Sequence, residues 1–125
     1  MNRLFFESYL RLVKIDLLMR FGNLRSIHEL VRKCQVGHSA AGTRSGAQEI
    51  CHGVDLACVF YFKKVLCLQR SVATTLVLRH HGYRAEMVIG AQMLPFKSHA
   101  WVEIDGNVVN DKPYMLDIYQ VLERC

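Results

Sequence analysis

Three residues of this sequence have the types, and the order along the chain, that cysteine-based acyl transfer requires. Cys67 begins an apolar stretch of helical character, His99 lies in a strand-like run, and Asp111 ends the strand-like run that follows. A thiol becomes a strong nucleophile when an imidazole takes its proton, and a carboxylate bonded to that imidazole holds the ring in the correct orientation. We therefore predict Cys67 as the nucleophile, His99 as the general base and acid, and Asp111 as the residue that orients His99.

The position of Cys67 at the start of a predicted helix favours this chemistry. The first N–H groups of a helix have no intrahelical partner, and together with the helix dipole they stabilise a thiolate. Lys63 and Lys64 lie one turn earlier and add positive charge. The same N–H groups can hold the oxyanion of a tetrahedral intermediate. One helix end would then serve both the nucleophile and the intermediate.

Each candidate also has an ordinary structural interpretation. A lone cysteine on an apolar helix is most often a small buried side chain. His99 can be a hydrogen-bonded strand histidine, and Asp111 can cap a turn before Pro113. Arg70, in the next helical turn, can contact substrate or a buried carboxylate, and we favour the structural contact. The joint occurrence of the three candidates in this order favours the catalytic interpretation.

The turn between the last two predicted strands decides where Asp111 lies. Asp105 and Gly106 form the natural turn dipeptide of this segment. If they made a two-residue turn, His99 would lie opposite Lys112. Because side chains alternate between the two faces of a sheet, Asp111 would then point to the face opposite His99.

A three-residue loop gives the opposite result. If residues 104–106 formed a type I turn closed by Gly106 in the left-handed region, Glu103 would lie opposite Asn107. Asp111 would then lie directly across from His99, close enough to orient the ring. We predict this three-residue loop.

Helical periodicity dominates the first part of the chain, and alternating patterns dominate the last part. The predicted helices run from about residue 3 to Gly22, from Ser26 through Val31, from about Ile50 to Phe62, and from Cys67 to Gly82. The predicted strands are residues 84–90, 99–103 and 107–111; residues 34–48 form a surface loop, and residues 114–124 form a closing strand or helix. Helices followed by a small antiparallel sheet define an α+β fold. We interpret residues 1–125 as a single domain, with a helical N-terminal segment (1–33) and a catalytic core (50–125).

Composition restricts the class of protein. A chain of 125 residues, 51% of them hydrophobic, can bury a core of its own. The net charge of +5 is spread along the chain without a basic block, which disfavours nucleic acid and favours an acidic peptide or protein surface as a partner. Five irregularly spaced cysteines indicate reduced thiols in the cytoplasm. Charges at Glu7, Arg11, Lys14 and Asp16 argue against a signal peptide or a membrane span.

A zinc site is the competing hypothesis for the cysteines. Cys34-x3-His38 and Cys51-His52 with Cys58 offer ligand types that zinc prefers. Zinc ligands usually come in CxxC pairs, however, and the adjacent Cys51 and His52 are poorly placed for tetrahedral coordination. The sequence also contains no glycine-rich phosphate loop. We predict neither a metal nor another cofactor.

Several motifs together resemble the leader peptidases of lasso-peptide biosynthesis, the transglutaminase-like B protein family. The motifs are Cys67-Leu-x-Arg-Ser-x-Ala, Arg79-x-x-Gly82-Tyr-x-Ala85, Val88-Ile-Gly90, Pro95-Phe-x-x-His99-Ala-Trp-Val-Glu, Asp105-Gly106 and Val109-Asn110-Asp111. The resemblance is strong over residues 51–111 and loose over the N-terminal helices. It implies a papain- or transglutaminase-like cysteine peptidase fold in which Cys67, His99 and Asp111 form the catalytic triad.

The resemblance also implies a substrate and partners. Members of this family remove the leader from a ribosomally made precursor peptide, and a separate lasso cyclase then closes the freed core; the peptidase needs no metal or nucleotide. The 125 residues include no segment that resembles the small leader-recognition domain of the fused form. We therefore expect the stand-alone peptidase half, which relies on a separate leader-binding protein and on neither nucleic acid nor membrane. Amide transfer from the same thioester and a non-catalytic adaptor role in the same pathway are the alternatives.

Overall fold

The helices and strands follow the predicted division of the chain. The computed structural model describes residues 2–22, 24–36, 46–93 and 95–125. The helices are α1 (Asn2–Phe21), α2 (Leu24–Lys33), α3 (Ala47–Phe60), α4 (Cys67–His80) and the short α5 (Met115–Ile118). The strands are β1 (Ala85–Met93), β2 (Phe96–Ile104), β3 (Asn107–Val108) and β4 (Gln120–Arg124). The predicted α+β class, with helices followed by a small antiparallel sheet, is confirmed.

Several predicted boundaries need correction. α2 begins two residues and α3 three residues earlier than predicted, so the start of α3 falls inside the predicted surface loop. Residues 37–45, most of that loop, lie outside the described residues. The predicted strand over residues 107–111 is only two residues long. The closing segment contains both alternatives, since α5 is followed by β4.

Helix α4 lies at the centre of the domain. It packs against α1 and α3 and against strands β1 and β2. Every side chain from Ser71 to Leu78 is buried, so the helix is enclosed on all sides. The hydroxyl groups of Thr74 and Thr75 donate 2.8 Å hydrogen bonds to the carbonyls of Arg70 and Ser71, which satisfies polar groups inside the core. Each fully buried valine or leucine stabilises the fold by roughly 1.5–3 kcal/mol. Because α4 contributes several such side chains to the core, it is firmly held and gives its first residue, Cys67, a rigid support.

The C-terminal end of α4 is fixed by a Schellman motif. Gly82 has a φ of 92°, the left-handed conformation that this motif requires. The N–H of Tyr83 donates to the Leu78 carbonyl at 2.9 Å, and the N–H of Gly82 donates to the Arg79 carbonyl at 3.1 Å. The predicted helix end at Gly82 is confirmed.

Arg79 joins this end of α4 to three other segments. Its Nε donates to the Ala85 carbonyl at the start of β1, and its Nη2 donates to the Cys125 carbonyl, both at 2.9 Å. Its Nη1 donates to the carbonyl of Val31 and, at 3.3 Å, to that of Cys34. One half-buried cation thus joins the helices to the sheet through four backbone carbonyls.

The sheet is antiparallel throughout, with strand order β3-β2-β1-β4. Side chains such as Met87 and Val102 join the helical core, while Val88 and Trp101 pack with Met115 in a second apolar cluster. The sheet is therefore covered on both faces. Within the part of the chain that the structure describes, no helix is both long and apolar enough to cross a bilayer.

Candidate active site

Cys67 is the first residue of α4, as predicted. The residue before it, Leu66, occupies the N-cap position but has no side-chain acceptor for the first N–H groups of the helix. The N–H of Leu66 itself donates to Gln69 Oε1 at 2.9 Å. The first-turn N–H groups therefore have no side-chain cap and point out of the helix, where they can stabilise negative charge.

His99 and Asp111 are in direct contact. His99 Nε2 lies 2.5 Å from Asp111 Oδ2. A carboxylate only accepts hydrogen bonds, so Nε2 carries the proton and Nδ1 is left as the basic nitrogen of a neutral ring. Both side chains are largely shielded from solvent, with 24% and 16% of their surfaces exposed.

The hydrogen bonds to Asp111 keep it ionised. Burial raises the pKa of its carboxyl, but the hydrogen bond from His99 opposes this, as does a 2.8 Å hydrogen bond from the Lys112 N–H to Oδ1. The positive charge of Arg70, and that of His99 when its ring is protonated, act in the same direction, and the net result is a lowered pKa. An ionised Asp111 is the form that orients an imidazole and stabilises an imidazolium.

Two aromatic rings hold the imidazole from the side. The ring centroid of His99 lies 5.4 Å from that of Tyr119 and 6.2 Å from that of Trp101, and both pairs are stacked. Gly90, opposite His99 in the sheet, makes room for them. A Cβ atom at Gly90 would lie 2.7 Å from Trp101 and 2.9 Å from Tyr119. The stack restricts the rotation of the His99 ring.

The predicted three-residue loop before Asp111 is wrong. Asp105 and Gly106 have φ values of 53° and 80°, and Ile104 is paired directly with Asn107. This is a two-residue turn of type I′, which Asp-Gly strongly favours because its twist matches that of the strands. The left-handed Gly106 was predicted correctly, but the length of the loop was not. A regular continuation of this register would point Asp111 away from His99.

Asp111 nevertheless reaches His99, because β3 ends at Val108. The Val102 N–H would bond to a backbone carbonyl if the ladder continued; it donates instead to Asn110 Oδ1 at 2.8 Å. Asn110 Nδ2 donates to Ser71 Oγ of α4 at 3.3 Å. The Val109 N–H still donates to the Val102 carbonyl at 2.9 Å, so the buried Asn110 side chain replaces only the return bond of this pair. The chain then turns so that Asp111 faces His99.

The structural role of Asn110 was not predicted, although the residue belongs to the Val109-Asn110-Asp111 motif. The signals that point to it are weak: asparagine is depleted in strands, and Pro113 follows three residues later. Both indicate that the strand stops before Asp111.

Arg70 links α4 to the same loop. Its Nη2 donates a 2.6 Å hydrogen bond to the Asn110 carbonyl oxygen and lies 3.8 Å from Asp111 Oδ2. Its Nη1 lies 3.5 Å from Asp55 Oδ1 on α3. Burial raises the pKa of Asp55, and the charge of Asp111 adds to this effect, while Arg70 opposes it. The predicted contact between Arg70 and a carboxylate is therefore present.

Cys67 belongs to the face of α4 that contacts the loop carrying Asp111. Positions i, i+3 and i+4 share one face of a helix, so Cys67 lies on the face of α4 from which Arg70 and Ser71 contact Asn110. Among the described residues, a hydrogen bond joins His99 to Asp111, and none joins the Cys67 thiol to His99. Thiol–imidazole hydrogen bonds often tighten only when a substrate is bound.

The neighbouring cysteines have a different environment. Burial, together with the charge of Asp55, raises the pKa values of Cys51 and Cys58 to about 11, so both thiols are protonated at neutral pH. His38, part of the competing zinc hypothesis, lies outside the described residues. Within residues 2–22, 24–36, 46–93 and 95–125, no three His, Cys, Asp or Glu side chains are grouped as metal ligands.

An open cleft of about 540 Å³ lies beside the start of α4. Its lining includes Asp55, Cys58, Tyr61, Lys64, Val65 and Arg70. The segment just before Cys67 forms one wall, and Arg70 forms part of another. The cleft is large enough for one or two side chains of an extended peptide. Lys63, predicted to add charge near Cys67, is ion-paired with Asp16 at 2.7 Å.

Two comparisons with known proteins found matches. Residues 10–124 match the model of the transglutaminase-like superfamily. A stretch of 70 residues, 54% of the chain, is 39% identical to the microcin J25-processing protein McjB of Escherichia coli. The match covers 34% of that protein, so the chain spans about a third of the relative's length. No solved structure matches the chain. Since the family model covers nearly the whole sequence, this chain belongs to the transglutaminase-like superfamily.

Proposed function

We propose that this protein is a cysteine peptidase that removes the leader from a ribosomally synthesised lasso-peptide precursor. It would act in the cytoplasm with a separate leader-binding protein, and a lasso cyclase would use its product. The similarity to a microcin-processing protein supports the pathway. Membership in the transglutaminase-like superfamily supports thiol chemistry.

The contact between His99 and Asp111 carries this proposal. With Nε2 bonded to Asp111 at 2.5 Å, Nδ1 of His99 is the base for the Cys67 thiol. The Cys67 thiolate attacks the scissile carbonyl, and the uncapped N–H groups at the start of α4 hold the oxyanion. The C–N bond then breaks as His99 returns its proton to the leaving amine. Water hydrolyses the thioester, which releases the leader carboxylate and restores the thiol.

The test uses the purified protein, a precursor peptide and its leader-binding protein, with products identified by mass spectrometry. Cys67→Ala and His99→Ala should abolish cleavage, because each removes a group that the thioester route requires. Cys34→Ala is the matched control, since this half-buried thiol lies next to Arg79, near the end of α4 opposite Cys67. It should retain cleavage.

Three results would contradict the peptidase proposal. Cleavage by a correctly folded Cys67→Ala protein would exclude the thioester mechanism. If an added primary alkylamine were incorporated in preference to water, the reaction would be amide transfer. Normal peptide maturation with Cys67→Ala in cells would indicate a non-catalytic adaptor.

A further inference from the structure

Arg70 lies between two carboxylates and a backbone carbonyl. The carboxylates of Asp55 and Asp111 lie 3.5 Å and 3.8 Å from its two terminal nitrogens. The carbonyl oxygen of Asn110 accepts its 2.6 Å hydrogen bond. A planar guanidinium can contact several acceptors in fixed directions, whereas an ammonium group acts as a point charge. The geometry of this site therefore uses a property specific to arginine.

The loop that carries Asp111 depends on this contact. β3 ends at Val108, so Asp111 lies three residues beyond the last ladder pair. Two described hydrogen bonds join the loop to α4: the 3.3 Å bond from Asn110 to Ser71, and the 2.6 Å bond from Arg70 to Asn110. The bond from Arg70 is shorter and charge-assisted, which makes it the stronger of the two.

The charges around Asp111 come from three elements. His99 faces it from β2, Arg70 faces it from α4, and Asp55 with its neighbour His52 approaches from α3. Without the guanidinium, the carboxylates of Asp55 and Asp111 would repel each other. The positive charge between them adds to the hydrogen bonds from His99 and Lys112 that hold the pKa of Asp111 low.

We propose that Arg70 is a positioning residue that sets the place of Asp111, and through it of His99, relative to the helix that begins at Cys67. The kinetic consequence of this inference rests on the proposed peptidase function; its electrostatic consequence does not. Arg70 and Cys67 belong to the same face of α4. This one rigid helix therefore positions both the nucleophile and, through Arg70, the carboxylate of Asp111. Asp55 anchors the other side of the guanidinium.

The experiment compares Arg70→Gln, Arg70→Lys and Asp55→Asn. Arg32→Gln is the matched control, because Arg32 is an exposed arginine on α2 that is paired with Glu123. Carbon-13 NMR titration of the Asp111 carboxyl reports its pKa in each protein without any reaction. Cleavage of a precursor in the presence of its leader-binding protein gives kcat and KM across a range of pH.

Arg70→Gln should raise the pKa of Asp111 and move the acid limb of the kcat profile to higher pH, since it removes a positive neighbour. We expect kcat to fall roughly 10- to 100-fold, with KM changed less than about threefold, because the loss is one of orientation. Arg70→Lys should keep the pKa of Asp111 low and recover part of kcat. Asp55→Asn should lower the pKa of Asp111 further, and Arg32→Gln should change none of these quantities.

An unchanged Asp111 pKa in Arg70→Gln would overturn the proposal, even if stability fell, because a purely structural arginine affects stability alone. If Arg70→Gln does not fold, Arg70→Lys decides instead: a kcat equal to that of the natural sequence at every pH would overturn the positioning role. If the natural sequence cleaves no precursor, the peptidase function fails. The NMR titration still decides the role of Arg70 in that case.

Discussion

The Val102 N–H donates a 2.8 Å hydrogen bond to Asn110 Oδ1, and this bond ends the β2–β3 ladder. A side-chain oxygen takes the place of the Val109 carbonyl, while the Val109 N–H still donates to the Val102 carbonyl, so the chain turns away just after Val109. The turn brings Asp111, the residue after Asn110, onto the face of the sheet that holds His99. The candidate site therefore depends on a buried amide that takes no part in the proposed chemistry.

Asn110→Ala should destabilise the protein by about 2–5 kcal/mol. The substitution removes two hydrogen bonds and leaves the buried Val102 N–H and Ser71 hydroxyl without these partners, at roughly 1–3 kcal/mol for each unsatisfied group. Denaturant unfolding measures the change. Asn107→Ala is the control, because Asn107 is exposed at the start of β3 and should change stability by less than about 0.5 kcal/mol. Equal losses in the two variants would show that Asn110 does not hold the loop.

Gly90→Ala should disturb the aromatic stack on His99. The added Cβ would lie 2.7 Å from the Trp101 ring, so the ring or the strand must move, at a cost of roughly 1–3 kcal/mol. Trp101 is the only tryptophan in the sequence, so its fluorescence reports the displacement directly. Gly46→Ala, with open space around its Cβ, should leave the spectrum unchanged. A Gly90→Ala protein with an unaltered spectrum and stability would contradict the packing described.

The stability of the protein should depend on pH in opposite ways at Asp111 and Asp55. The pKa of Asp111 is lowered by folding, so its contribution is present above its usual value of 3.8 and is lost as pH falls through the lowered pKa. The natural sequence should therefore exceed Asp111→Asn in stability most clearly at neutral pH. The pKa of Asp55 is raised, so the advantage over Asp55→Asn should be largest below pH 3.8 and shrink as pH rises. Urea unfolding from pH 3 to 7 measures both differences, and parallel curves would contradict them.

Cys67 should react with iodoacetamide before Cys51 and Cys58. With pKa values of about 11, the latter two are thiolates in only roughly one molecule in ten thousand at pH 7. Cys67 is partly exposed at an uncapped helix start, and His99 is its proposed base. Peptide mapping by mass spectrometry gives the rate for each cysteine, and His99→Ala should slow Cys67 alone. Alkylation of Cys58 at the rate of Cys67 would argue against a specially activated thiol.

Local signals predicted much of the architecture. The division into helices and a small antiparallel sheet follows from hydrophobic periodicity, and the start of α4 at Cys67 and its end at Gly82 follow from signals within a few residues. These features depend on neighbours in sequence, which is why they could be recognised without the fold.

The path of the chain from Gly106 to Asp111 could not be predicted in this way. The contact between Asp111 and His99 was expected from a three-residue loop, but the turn has two residues, and the contact arises because β3 stops early. That stop depends on Ser71, 39 residues away from Asn110 in sequence, and on Arg70 beside it. Such contacts between residues far apart in sequence follow from the packing of α4 against the sheet. The sequence pattern therefore predicted the contact between His99 and Asp111, but from an incorrect loop length.

The leucine that precedes Cys67 has a consequence for the design of more robust variants. A serine or aspartate at this position would cap α4 and add about 1 kcal/mol of stability, the usual value of such a cap. The capping oxygen would, however, occupy an N–H that the proposed oxyanion needs. A capping residue at position 66 would thus raise stability and lower turnover. A search for stabilising substitutions alone would replace Leu66, which leaves the first N–H groups of α4 uncapped.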